Sequence, residues 1–131
     1  MKALLDTHIL IHWMGADRHL SAEQEEVLRE AGPENPLWVS DISLWEIATL
    51  YNLKRISFHL PLREWLEAAT APPLVQRVGI SPAVAAAVAA LPAAFHRDPA
   101  DRVIVASAQL LGATVLTRDA RIIQSRLVPT L

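Results

Sequence analysis

The stretch Lys2-Ala3-Leu4-Leu5-Asp6-Thr7-His8-Ile9-Leu10-Ile11-His12-Trp13-Met14-Gly15 sets the frame for the whole chain. Lys2 to Asp6 is a short apolar run ending in an acid, the pattern of a buried strand. From Thr7 to Met14 the period changes: Ile9, Leu10 and Trp13 fall at helical spacing, and Gly15 stops the helix. A buried strand that runs straight into a helix points to alternating strands and helices, and hence to a parallel sheet covered on both faces.

The rest of the chain repeats that alternation. Ser21 to Ala31 reads as a helix, with Ser21 as cap and Glu23 and Glu25 near its positive end. Gly32-Pro33 and Pro36 mark a loop before a second strand, Leu37 to Val39, and Ser40 opens a helix that runs to about Asn52. An amphipathic helix from Pro61 to Ala71 ends at Pro72-Pro73, and Leu74 to Ile80 alternates as a strand. The alanine-rich segment Ser81 to Ala90 opens with a cap and a proline, predicting a tightly packed helix. Asp98-Pro99 repeats that opening for a helix ending at Gly112. Thr114 to Thr117 is a strand, Asp119 to Ser125 a short helix, and Leu127 to Leu131 a last edge strand. No repeat or linker divides the chain. The expectation is one α/β domain over residues 1–131, a parallel sheet of four or five strands with helices on both faces.

Bulk composition narrows the function. At 131 residues, with 52% hydrophobic and 20% charged residues, the chain can fill one core. It has no cysteine, which removes disulfides, thiolate zinc sites and a cysteine nucleophile, and suits a reducing cytoplasm. The net charge of -2 gives no whole-surface basic field, so any nucleic acid must be held by a local patch. Asp6, His8 and His12 interrupt the apolar N-terminus too early for a signal peptide. Pro82 and Pro92 break the longest uncharged stretch, Ile80 to His96, which is too short to span a bilayer. A soluble, cytoplasmic protein is expected.

Four acids then stand out. In an open parallel sheet the functional crevice lies beyond the carboxyl ends of the strands. Asp6 ends the first strand, Glu46 lies in the early turns of the helix after the second, Asp101 opens the helix leading to Thr114, and Asp119 follows that strand. All are predicted on one rim. At about 5 Å and an effective dielectric near 20, each carboxylate pair repels by roughly 3 kcal/mol. Six pairs total on the order of 20 kcal/mol, more than a small domain's stability. Protonation relieves part of this, and a bound divalent cation relieves it better. All-oxygen ligation points to Mg²⁺ or Mn²⁺ rather than zinc, and such an ion suits phosphodiester hydrolysis.

At these residues the chain resembles PIN-domain proteins, with Leu4-Leu5-Asp6-Thr7-His8, Ser43-Leu44-Trp45-Glu46-Ile47, His96-Arg97-Asp98-Pro99-Ala100-Asp101-Arg102 and Leu116-Thr117-Arg118-Asp119 similar to the four motif blocks in order. The resemblance is strongest to VapC-type toxins of toxin–antitoxin pairs and spans nearly the whole chain. It implies a Mg²⁺- or Mn²⁺-dependent endoribonuclease, commonly a homodimer, inhibited by a VapB-like antitoxin that inserts into the active site. It also implies that Asp6, Glu46, Asp101 and Asp119 form the catalytic, metal-holding tetrad. The fourth acid is the least dependable ligand, so Asp119 is expected to assist, through water if not directly. Asp98 belongs to its block without being the usual metal-facing acid.

Simpler readings stand beside these. Asp98 fits an N-cap, and Asp101 a favourable first-turn acid. Ser43-x-x-Glu46 has the form of a capping box, although it lies inside a longer helical pattern. Asp119 is open between a cap and a metal role. His8 and His12 have the spacing of a zinc pair, but Ile9 stands where the metalloprotease glutamate belongs, so ordinary histidines are expected. Trp13, Trp38, Trp45 and Trp65 are read as core or interface before base-stacking. His96, Arg97, Arg102, Arg118 and Arg121 are open between holding a phosphate backbone and pairing with the acids. Ser40 and Thr117 sit near the rim as candidates to orient water or phosphate.

Haloacid-dehalogenase-type phosphatases also begin with a strand-end aspartate, but they want a second aspartate where His8 stands. They also want a lysine near the acids, and the only lysines are Lys2 and Lys54. A phospho-receiver domain fails on the same lysine. The remaining rival is a PIN-like module that binds RNA or protein and turns nothing over.

Overall fold

Residues 1–15 and 19–131 are described by a computed structural model. Ala3–Leu5 forms β1, the inner strand of a parallel sheet, with β2 (Leu37–Ser40) on one side and β4 (Thr114–Leu116) on the other. The fourth strand, β3 (Val75–Val78), pairs with β2, so the order is β3-β2-β1-β4. Between the strands lie α1 (Thr7–Met14), α2 (Ala22–Arg29), α3 (Asp41–Asn52), α4 (Leu62–Ala69), α5 (Pro82–Ala89), α6 (Pro99–Leu111) and α7 (Ala120–Ser125). The four-strand parallel α/β domain agrees with the sequence expectation.

Strand alternation divides the interior in two. Ala3, Leu5, Leu37, Val39 and Leu116 face one side and pack with Ile9, Leu10, Leu28, Ile47 and Trp65, from α1 to α4. Leu4 and Val115 face the other and pack with Ile104, Val105, Ala108 and Ile122 of α6 and α7. Both faces are covered, which explains why β1 is apolar at every position.

One expectation fails. Residues 127–131 form no strand; Val115 pairs with Thr130 in one isolated parallel bridge. Val115 and Thr117 donate to the carbonyls of Pro129 and Leu131, and Leu131 donates to that of Val115, but Pro129 has no N–H with which to extend the ladder backward. The helix α5 packs closely along α6 as expected, yet stays near the surface: Val84 alone is buried, while Ala87 and Val88 are half-covered against the second core. Alanine forms helices without needing burial, so the composition specified the helix and not its depth. Among the described residues, no helix is long and apolar enough to cross a membrane.

The order has one reversal. From β1 the chain steps outward to β2 and β3, then returns to place β4 on β1's other side. In sheets of this kind a crevice opens beyond the carboxyl ends at such a reversal. Here it lies between the ends of β1 and β4, where Asp6 and Thr117 emerge.

Candidate active site at the carboxyl rim

Asp6 caps α1, and its buried carboxylate is held from two directions. Oδ1 accepts from the Thr7 amide at 2.8 Å, and Oδ2 accepts from the Thr117 hydroxyl at 2.7 Å. The same Thr117 oxygen accepts from the Asp119 amide at 3.0 Å, so one hydroxyl joins the ends of β1 and β4. Burial raises the Asp6 pKa and the Asp119 charge adds to the rise; Thr117, Thr7 and His8 oppose it. Ser40, by contrast, accepts from the Ile42 amide as the cap of α3.

Glu46 projects from the second turn of α3, half-buried, and burial raises its pKa too. The nearby Thr7 hydroxyl and the His8 charge oppose the rise. Thr7 Oγ1 also lies 2.8 Å from Ser43 Oγ, with both residues fully buried. Thr7 therefore meets Asp6 through its amide and, through its hydroxyl, Ser43 one turn before Glu46. Sequence reasoning missed this pair. The available signal was a hydroxyl residue directly after Asp6 and another one turn before Glu46.

Asp101, in the first turn of α6, is the most perturbed. Its pKa is pushed up to about 8, first by burial and then by the charges of Asp6, Asp98, Asp119 and Glu46. That list places the carboxyls of Asp6, Glu46 and Asp119 within electrostatic reach of Asp101. The His96 ring stands against it, Nε2 to Oδ2 at 3.1 Å, though outside hydrogen-bonding alignment. Asp119 caps α7, accepting from the Arg121 amide at 2.8 Å, with the Arg121 Nε 3.6 Å from the same oxygen.

Asp98 caps α6, its Oδ1 accepting from the Asp101 amide at 3.1 Å. Asp98→Ala is expected to cost about 1 kcal/mol of stability, the usual worth of a helix cap. Thermal denaturation checks it, and a variant as stable as the parent but inactive would overturn the structural assignment.

The basic residues divide. Arg102 donates to the carbonyls of Phe95 and His96 at 3.0 and 3.2 Å, bracing the loop before α6. Arg118 donates to the His19 carbonyl at 2.9 Å, and Arg97 is exposed. His8 and His12 line a cavity of about 350 Å³ with Asp6, Arg118 and Asp119. Trp65 is buried under Phe58 in the first core, whereas Trp45 is 58% exposed.

Does the set suit a metal? Among the described residues, no lysine or arginine ion-pairs with Asp6, Glu46 or Asp101. Their mutual repulsion therefore has no lysine or arginine partner among the described residues to relieve it, and the oxygen donors are those a hard divalent cation prefers. As posed, no group of three acidic or histidine side chains among the described residues could hold an ion. The fit rests on donor chemistry and charge, and the carboxylates must turn inward to close on a cation.

Residues 3–126 match the family model described as PIN domain. The Ribonuclease VapC22 of Mycobacterium tuberculosis (strain ATCC 25618 / H37Rv) is 37% identical over 119 residues, covering 91% of this chain and 88% of that protein. Two solved structures share the fold. VapBC2 from Rickettsia felis, bound to a promoter DNA fragment, has a TM-score of 0.72 at 14% identity, covering 100% of this chain and 98% of that one. VapBC-1 from nontypeable Haemophilus influenzae has a TM-score of 0.72 at 18% identity, covering 100% and 97%.

Proposed function

This chain belongs to the PIN-domain family, and from that premise we propose that it is the endoribonuclease toxin of a toxin–antitoxin pair. It hydrolyses RNA phosphodiester bonds in the cytoplasm and is restrained by a VapB-like antitoxin. The observation that carries this reading is 37% identity to a ribonuclease across 91% of the chain. The rim of interacting carboxylates supports it.

In this reading Asp6, Glu46 and Asp101 hold Mg²⁺ or Mn²⁺ with Asp119 assisting, and the bound ion supplies water activation and charge stabilisation at phosphorus. The chain's own groups do the positioning. Thr117 fixes the Asp6 carboxylate, and Thr7 bonds Ser43, fastening the turn of α3 that carries Glu46 to the start of α1. Asp101 keeps its proton at neutral pH until positive charge enters the cluster.

Incubating the partner-free protein with varied RNAs and Mg²⁺ or Mn²⁺ is expected to give endonucleolytic fragments that EDTA abolishes. No metal-dependent cleavage of any RNA would favour the silent binding module instead. A homodimer belongs to the same reading, and a monomer in sedimentation at micromolar concentration would count against it.

Thr7→Val keeps the shape of the side chain and removes its hydroxyl. We expect kcat to fall about tenfold, the scale of one lost positioning hydrogen bond, with KM for RNA little changed. The Mn²⁺ concentration needed to raise the thermal midpoint should increase, and Thr7→Ser should restore both properties. Equal defects in Thr7→Ser and Thr7→Val would reduce Thr7 to a packing residue.

A further inference from the structure

A second cavity, of about 340 Å³, opens between the loop before α6 and the outer face of α7. Its lining includes Pro92, Phe95, His96, Arg121, Gln124 and Leu127. Two of these residues also stand against the acids: His96 meets Asp101 at 3.1 Å, and Arg121 meets Asp119 at 3.6 Å. The cavity and the acidic rim therefore share a wall.

The chemistry of the lining is specific. Pro92, Phe95 and Leu127 give apolar walls, and ligand sites of roughly this size combine such walls with a few polar groups. Gln124 is exposed, and among the described residues its side-chain amide has no hydrogen-bond partner. An amide of this kind offers a donor and an acceptor together, which matches the edge of a nucleobase. His96 adds a ring wall, both of its nitrogens being closed off from the cavity. Ser125 adds nothing, because its hydroxyl already donates to the Ile122 carbonyl at 2.6 Å. A phosphate alone would find only the Arg121 guanidinium here; a flat, partly apolar group with hydrogen-bonding edges uses the whole lining. The walls are also braced, since Arg102 holds the carbonyls of both Phe95 and His96.

We propose that this cavity is a nucleobase subsite, which seats the base next to the phosphate lying on the acidic rim and gives the protein its sequence preference. The link to cleavage rests on the ribonuclease reading; the binding of a nucleotide does not. The test therefore begins without metal. Adenosine, guanosine, cytidine and uridine 5′-monophosphates are titrated against the partner-free protein in EDTA and followed by NMR, with ribose 5-phosphate as the base-free control. At least one nucleotide should bind about tenfold more tightly than ribose 5-phosphate, the scale of one base-edge interaction. Gln124→Leu should remove that advantage while leaving ribose 5-phosphate binding alone. The side chain is exposed, so this substitution leaves the fold intact, which the NMR spectrum itself reports.

Nucleotides binding no better than ribose 5-phosphate, or a Gln124→Leu variant that binds like the parent, would overturn the subsite. In a separate assay on mixed-sequence RNA, Gln124→Leu should shift the base found beside the cut. A protein that binds nucleotides through Gln124 but cuts no RNA would remove the nuclease reading and leave the subsite standing.

Discussion

Asp6→Asn is expected to lower the rate of RNA cleavage about a thousandfold, since carboxylate-held metal catalysis contributes several kcal/mol at the phosphoryl centre. The folded structure should survive. Asparagine keeps an oxygen for the Thr7 amide, and its NH₂ group can donate to Thr117, although the Thr117 hydroxyl must then turn to another acceptor. That mismatch costs about 1 kcal/mol. Removing one anion from beside Asp101, Glu46 and Asp119 works in the opposite direction. The two effects nearly cancel, so the thermal midpoint should move by no more than a few degrees. Full cleavage by the variant would take Asp6 out of the mechanism. An inactive variant that melts far below the parent would show Asp6 to be chiefly structural.

Raising the pH should destabilise the cation-free protein, and Asp101→Asn should remove much of that dependence. In the unfolded chain Asp101 titrates near 3.8; in the folded protein it holds its proton up to about pH 8. Between those values the folded state binds more protons than the unfolded state. Stability is therefore greatest below pH 4 for this group and is lost as pH climbs toward 8. Burial raises Asp6 and Glu46 in the same direction, so they add to the slope. Thermal melts in EDTA at pH 5 and pH 8 should show the loss, and Mg²⁺ or Mn²⁺ should restore more stability at pH 8, where the carboxyls are free to bind. Asp101→Asn should flatten the EDTA slope and weaken the metal-induced recovery. A variant with the parent's pH profile and metal response would mean that Asp101 is not the strained acid of the cluster.

Local signals were readable and distant ones were not. The change of period at Asp6, the stop at Gly15, and the openings at Ser21, Ser40, Ser81 and Asp98 each depend on a few neighbouring residues, and the helices begin where those signals stand. The rim position of the acids followed from the rule for parallel sheets. The contacts that hold them did not. Thr7 and Ser43 are 36 residues apart, Thr117 and Asp6 111 apart, and no periodicity encodes such a meeting. The outer placement of α5 escaped for a related reason: alanine reports helical preference and is silent about depth.

The return of β4 to the far side of β1 also has a consequence for timing. A chain made from its N-terminus exposes Asp6 early, but the Thr117 hydroxyl that orients it exists only once residues 114–119 have left the ribosome. The centre is therefore unassembled until more than a hundred residues beyond Asp6 have been made, since Thr117 lies 111 positions further along the chain.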